Sequence, residues 1–193
     1  MARDTLGRTL VWEGSGGRVS ARVVEVEAYG GESDEASHAR PGPTRRNASM
    51  YGPGGHAYVY FTYGMHHCLN LVTGPEGNAS AILIRALQPL EGLERVRERR
   101  GPDVPDSALL RGPGCVTRGL GLTLEHDGLD LTCGPLWLSR ARARRAPWPV
   151  ACGPRIGIRR AAERPWRFWL FGHPCVSAPR GEGALATARG LSR

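Results

Sequence analysis

Between positions 19 and 29 the chain reads Val-Ser-Ala-Arg-Val-Val-Glu-Val-Glu-Ala-Tyr, an alternation of period two, rich in β-branched residues, that stops at Gly30-Gly31. This pattern predicts a strand. Successive strand side chains point to opposite faces, so Val24, Val26 and Ala28 share one face and Val23, Glu25, Glu27 and Tyr29 the other. Two carboxylates and a phenol therefore project together. Residues 57–63 and 65–72 predict two more strands joined tightly at Tyr63-Gly64, a β-hairpin, and residues 81–87 an apolar strand with one embedded charge, Arg85. Leu93 and Val96, at helical spacing, predict a helix within 90–100 whose charges form a solvated face. A second helix is expected over 115–122, after the turn Gly112-Pro113-Gly114, and short strands over 136–139, 155–159 and 165–171. The polar stretch 31–56 has a length usually reserved for functional or disordered connections, and the small, polar residues 181–193 predict a frayed tail. Together these elements predict one α+β domain over residues 1–193: a curved, mostly antiparallel sheet flanked by helices, with a protruding β-hairpin.

Composition narrows the picture. With 27 glycines and 15 prolines in 193 residues, the chain suits many turns and short strands, and an all-helical bundle is excluded. No apolar run approaches a membrane span, and the first residues lack a signal peptide's apolar segment, so a soluble, cytoplasmic protein is expected, without membrane association. The net charge of +8 is uneven: residues 135–193 carry twelve arginines against two acids. Such an asymmetry favours a polyanionic partner. Every one of the 26 basic residues is arginine, so no side-chain amine can form a Schiff base. The five cysteines are scattered, without a Cys-x-x-Cys pair. Neither a disulfide framework, nor a metal site, nor any cofactor is expected.

Chemistry concentrates in two places. Glu27, beside Tyr29 on an inward strand face, would be desolvated and positioned, as general-base work on water requires. Glu25 lies two residues away, about 6.6 Å by strand rise, a separation that inverting sugar hydrolases use for their acid and base. A carbohydrate glycosidase is thus one reading. The segment Tyr58-Val59-Tyr60-Phe61-Thr62-Tyr63-Gly64 places three tyrosines close together. Inner tyrosines offer flat walls for an extruded base, and an aromatic at the turn can wedge between stacked bases. Taken with the basic C-terminal region, this favours an enzyme that flips a nucleotide; a non-catalytic nucleic-acid-binding protein is the other reading.

The runs Val-Glu-Val-Glu-Ala-Tyr (24–29), Asp-Glu-Ala-Ser-His (34–38), Arg-Asn-x-x-Met (46–50), Tyr-Val-Tyr-x-x-Tyr-Gly-Met (58–65), Asn70 and Ile-Arg-Ala-Leu-x-Pro-Leu-Glu-Gly (84–92) resemble the alkyladenine (3-methyladenine) DNA glycosylase family. Similarity continues through Gly112-Pro113 and Arg155-Ile156-Gly157-Ile158 to Phe168 and Val176-Ser177. The resemblance implies a monofunctional enzyme that removes damaged purines from double-stranded DNA by hydrolysing the N-glycosidic bond. It implies that Glu27 activates the attacking water, that Arg85 orients groups near it, and that Tyr29, His38 and Tyr60 line the base pocket over a floor at Asn70. It implies further that Tyr63, helped by Met65, fills the gap left in the duplex, and that Arg46 and Arg118 contact DNA. No cofactor, no metal and no obligate protein partner are expected, and a monomer is. Two features depart from the family: Cys115 stands where a basic residue is common, with Arg118 one turn later to replace it, and His66-His67 stand where aromatic residues are common.

Overall fold

The alternating segment forms the middle of the longest strand, β2 (Gly17–Gly30), on which the domain is built. The computed structural model describes residues 1–14, 16–62, 64–142 and 148–177. One edge of β2 pairs antiparallel with β5 (Ser80–Glu91) from Ser20 to Gly30. The other edge pairs first with β1 (Arg8–Gly14), up to Arg22, and then, from Glu25 to Glu27, with β8 (Arg167–Leu170). β3 (Ala57–Thr62) and β4 (His66–Thr73) are an antiparallel pair in which Tyr58 faces Asn70 and Tyr60 faces Cys68. The order β3-β4-β5-β2-β1-β6, with β6 at Leu136–Arg142 and β7 (Val150–Gly153) beside β8, gives an antiparallel sheet curled into a half-barrel.

The sheet buries Val19, Ala21, Val23, Val24, Val26, Leu69, Ile84 and Leu87. Among the described residues three α-helices flank it: α1 (Ala2–Thr5), α2 (Leu93–Arg100) and α3 (Pro113–Leu120). Val96 from α2 and Val116 and Leu120 from α3 join the same core. Each such aliphatic side chain contributes about 1.5–3 kcal/mol when fully buried. The helices carry the chain across the sheet and bring the start of α3 back to β4, where the Thr117 hydroxyl donates to the His67 carbonyl at 2.8 Å.

Two expectations change, at 155–159 and on α2, and two elements add to the reading, the stretch 31–56 and a first strand. Residues 155–159 form no strand, because Pro154 has no N–H for a ladder and Gly157 sits at φ +78°; the strand in this region is β7, just before them. The charged face of α2 is only partly solvated: Arg99 donates to the carbonyls of Gly119 and Leu120, and Arg100 to that of Leu109. The Arg99 guanidinium thus supplies donors to carbonyls that the end of α3 leaves without partners. The stretch 31–56 is pinned by short 3-10 turns at Gly31–Ser33 and Ala48–Tyr51 and by the buried side chains of Asp34, Asn47 and Met50. A first strand, β1, precedes the predicted one; its Leu10, Val11 and Trp12 are buried in succession, which hides any alternation. The expected protrusion of the β3–β4 hairpin turns on residue 63, and the frayed tail on 181–193, both outside the described residues.

Candidate active site

Where β2 exchanges β1 for β8, its pairing with β5 slips. The register runs Val23–Leu87, Glu25–Ala86, Val26–Ile84, so Val24 is an extra residue on one strand and Arg85 on the other. Bulges of this kind re-aim a side chain. Here Arg85 meets both acids of β2: its Nε lies 3.2 Å from Glu25 Oε1 and its Nη1 3.2 Å from Glu27 Oε1.

The two acids have different surroundings. Glu25 is fully buried and accepts from Arg85 Nε, from Arg167 Nε at 2.6 Å, and from the backbone N–H and hydroxyl of Ser177 at 2.7 and 2.8 Å. Glu27 is equally buried, but its Oε1 accepts from the Ile156 N–H at 2.7 Å and its Oε2 from the Tyr29 hydroxyl at 2.9 Å. Burial, followed by the adjoining Glu27 carboxylate, raises the Tyr29 phenol far above its ordinary range, so Tyr29 remains a donor. A second buried pair backs this wall. Arg155 grips Asp34 bidentately at 2.5 and 2.8 Å and donates to the Ala28 carbonyl. Its guanidinium lies 4.7 Å from the Tyr29 ring centre and 5.2 Å from that of Trp166, a cation on the back of the tyrosine. Burial alone would raise the Asp34 carboxyl, but the bonds from Arg155 and from two backbone N–H groups hold it below the usual range.

The opposite wall is aromatic. The rings of His38 and Tyr60 meet edge to face at 4.3 Å, and Tyr58 and Tyr60 lie 5.3 Å apart. The Tyr58 hydroxyl is 3.0 Å from His38 Nδ1. Asn47 holds the loop in place through its amide, which donates to the carbonyls of His38 and Gly42. Burial, then the charge of Arg46, lowers the His38 pKa, so the ring is neutral near pH 7. Burial likewise raises the phenols of Tyr58 and Tyr60.

Between the walls lies a cavity of about 510 Å³, lined by Tyr29, His38, Tyr60, Asn70, Arg85 and the start of α3 among others. This is the size of a small-ligand pocket. Asn70 donates its amide to the Tyr58 carbonyl at 3.0 Å, so it braces β3 and faces the cavity at once. Gly114 brings α3 onto the rim. A Cβ there would stand 2.9 Å from the His66 ring, so only glycine permits this approach. Cys68, Cys115 and His66 also face the cavity, while His67 turns away to Phe61 at 5.0 Å.

The family model for methylpurine-DNA glycosylase matches residues 1–174 of this chain. The chain belongs to the methylpurine-DNA glycosylase family. Among curated relatives, a protein of Nocardia farcinica provisionally named 3-methyladenine DNA glycosylase is 47% identical over 97% of this chain and 91% of its own length. One from Rhodopseudomonas palustris (strain BisB18), similarly named, is 49% identical over 94% of this chain and 86% of its own, and one from Nitrosospira multiformis is 47% identical over 93% and 88%.

In this glycosylase domain the residues read from sequence do not all fall in one place. Arg85, Tyr29, His38, Tyr60 and Asn70 line the cavity, and Glu27 lies directly behind that lining, bonded to Arg85, Tyr29 and the Ile156 N–H. Arg46 stands beside it, donating to the Phe61 carbonyl at 2.9 Å with its guanidinium 5.8 Å from the Tyr60 ring centre. Arg118 is not among the cavity residues; it lies further along α3, exposed, with its Nε on the Arg99 carbonyl. Met65 is 70% exposed at the β3–β4 connection, and Tyr63 lies outside the described residues. Sequence reasoning missed the parts that hold the others, Asp34 and Arg155 behind Tyr29 and Arg167 and Ser177 on Glu25, and it grouped Tyr58 with the other tyrosines without its bond to His38. Asp34, Arg155 and Ser177 stand inside the family-like runs, which was their only signal. Among the described residues no group of three or more His, Cys, Asp or Glu is disposed to hold a metal ion, and no helix is long and apolar enough to cross a membrane.

Proposed function

We propose that this glycosylase extrudes alkylated or deaminated purines from duplex DNA into the aromatic cavity and hydrolyses their N-glycosidic bond with a water activated by Glu27. The observation that carries the reading is a buried carboxylate at the back of an aromatic pocket, held by Arg85, Tyr29 and the Ile156 N–H and still only partly filled at Oε2. Glu27 has no surface open to solvent in the empty cavity. The attacking water is therefore a single molecule ordered beside the incoming nucleotide rather than bulk solvent.

Alkylated purines are cationic and leave readily, so a base for water and a π-rich cage cover most of what their removal needs. Tyr29 and Tyr60 supply the cage. Deaminated bases are neutral and need a hydrogen bond to the departing purine. In the tautomer in which Tyr58 donates to Nδ1, neutral His38 carries its proton on Nε2 and can provide that bond. Asn70 on the floor selects against the exocyclic 2-amino group of guanine, by clash or by leaving a donor unpaired. Tyr63 and Met65 take the place of the extruded base in the stack, and Arg46 and Arg118 meet DNA phosphates. With no lysine in the chain the enzyme leaves an intact abasic site and forms no borohydride-trapped complex through a side chain.

The sugar-hydrolase reading weakens at Glu25, whose carboxylate four donors occupy, leaving no free second carboxyl for acid work. A purely DNA-binding protein would have no use for a desolvated Glu27 held by three residues that line a pocket. The test is release of free purine from alkylated duplex DNA by the wild type and by Glu27→Gln. The amide cannot take water's proton, so release should fall by about 10²–10⁴-fold while affinity for damaged duplex is kept. Near-normal release by a folded Glu27→Gln protein would end the assignment.

A further inference from the structure

Glu25 touches neither cavity nor solvent, yet it collects four hydrogen-bond donors. All four are donors, so the carboxylate acts only as an acceptor toward them. Arg85 is shared: Nε belongs to Glu25 and Nη1 to Glu27. Arg167, cross-strand from Glu27 on β8, turns its Nε to Glu25 rather than to Glu27. The buried group thus holds two carboxylates and two guanidiniums, and Glu25 draws most of both cations.

We propose that Glu25 is a positioning residue that keeps Arg85 and Arg167 from closing on Glu27, and so leaves Glu27 basic enough to take a proton from water. This inference rests on the assignment of Glu27 as general base. The remaining charged or titratable groups around Glu27 are Tyr29 on its own strand, Cys68 on β4, and Arg155 behind Tyr29, whose charge Asp34 balances. None of them removes a cation from Glu27, so the division depends on Glu25. Ser177 opposes it: its two bonds to Glu25 weaken that carboxylate's hold on Arg85.

The test is the pH dependence of single-turnover base release from alkylated duplex DNA, alongside melting temperature and damaged-duplex affinity. Glu25→Gln should free both guanidiniums toward Glu27, moving the acid limb down by about one pH unit and lowering the plateau about 3- to 10-fold, with affinity unchanged. Adding Arg167→Met to Glu25→Gln restores the charge balance, and the limb should return to that of the wild type even though the double variant melts no higher. Ser177→Ala, which keeps the backbone N–H and is the variant least likely to impair folding, should shift the limb upward by a few tenths of a pH unit. A Glu25→Gln protein with a lowered melting temperature but an unmoved limb, or a Ser177→Ala limb that stays put or moves down, would overturn the proposal. If Glu25→Gln does not fold, the sign of the Ser177→Ala shift decides. An active Glu27→Gln enzyme would instead remove the underlying assignment, whatever Glu25 does.

Discussion

The two walls of the cavity are built on opposite principles. On the β2–β5–β8 side, Glu25, Glu27, Arg85 and Arg167, with Asp34 and Arg155 behind Tyr29, form ion pairs with almost no solvent exposure. On the β3 side, His38, Tyr58 and Tyr60 meet through ring faces and edges, and one hydrogen bond fixes the histidine. A buried charge tolerates little displacement, since losing a partner leaves it stranded in low dielectric. A ring wall is softer and accepts different flat bases, because stacking depends weakly on substituents. In the proposed function, chemistry thus sits on the stiff wall and recognition on the compliant one.

The hardest way to break this contrast is to strand a charge. Arg155→Met leaves Asp34 buried without its cation and should cost about 3–5 kcal/mol in urea unfolding. Adding Asp34→Asn should recover a good part of that loss. If the single variant is as stable as the wild type, the charged wall is not stiff for the reason given. A smaller effect is expected from Tyr58→Phe, which removes the hydroxyl from His38 and should cost about 1 kcal/mol. Its signature is selective: release of neutral lesions such as hypoxanthine should drop several-fold more than release of 3-methyladenine. A parallel loss on both would deny His38 its donor role.

The gentlest probe is pH. His38 and His173 are both depressed, first by burial and then by a nearby arginine, Arg46 for one and Arg22 for the other. Each is therefore neutral when folded, and the unfolded chain binds their protons first. Stability from this source is complete above the unfolded value near 6.5 and drains away as pH falls from there toward the folded values. Asp34, held below its usual range, adds a second loss at lower pH, as its folded value is approached. Unfolding midpoints followed from pH 8 to 4 should thus decline through the histidine range; midpoints that rise on acidification in that range would reverse the sign.

Much of the compliant wall and half of the stiff one could be read from sequence, for a local reason. Period two along β2 is enough to put Glu25, Glu27 and Tyr29 on one face, and proximity in the chain is enough to group Tyr58 with Tyr60. What could not be read depends on distant pairings. Arg155 finds Asp34 across 121 positions and Ser177 finds Glu25 across 152, and no periodicity signals either. The bulge at Arg85 arises from two strands jointly, so neither strand's pattern contains it. The arginines of α2 look like an ordinary solvated face because composition does not tell whether a guanidinium meets water or a carbonyl at the end of a neighbouring helix.

Those distant clasps bear on how the enzyme comes into being. Glu25, Glu27 and Asp34 leave the ribosome early, whereas Ile156, Arg155, Arg167 and Ser177 all belong to the last quarter of the 193-residue chain. Until that quarter emerges, three carboxylates destined for the interior have only Arg85 to neutralise them, and the nascent sheet cannot close over them without stranding negative charge. The proposed active site is therefore also the final seal of the fold. A chain interrupted before residue 155 is not a weakened glycosylase but one whose central strand has to stay wet.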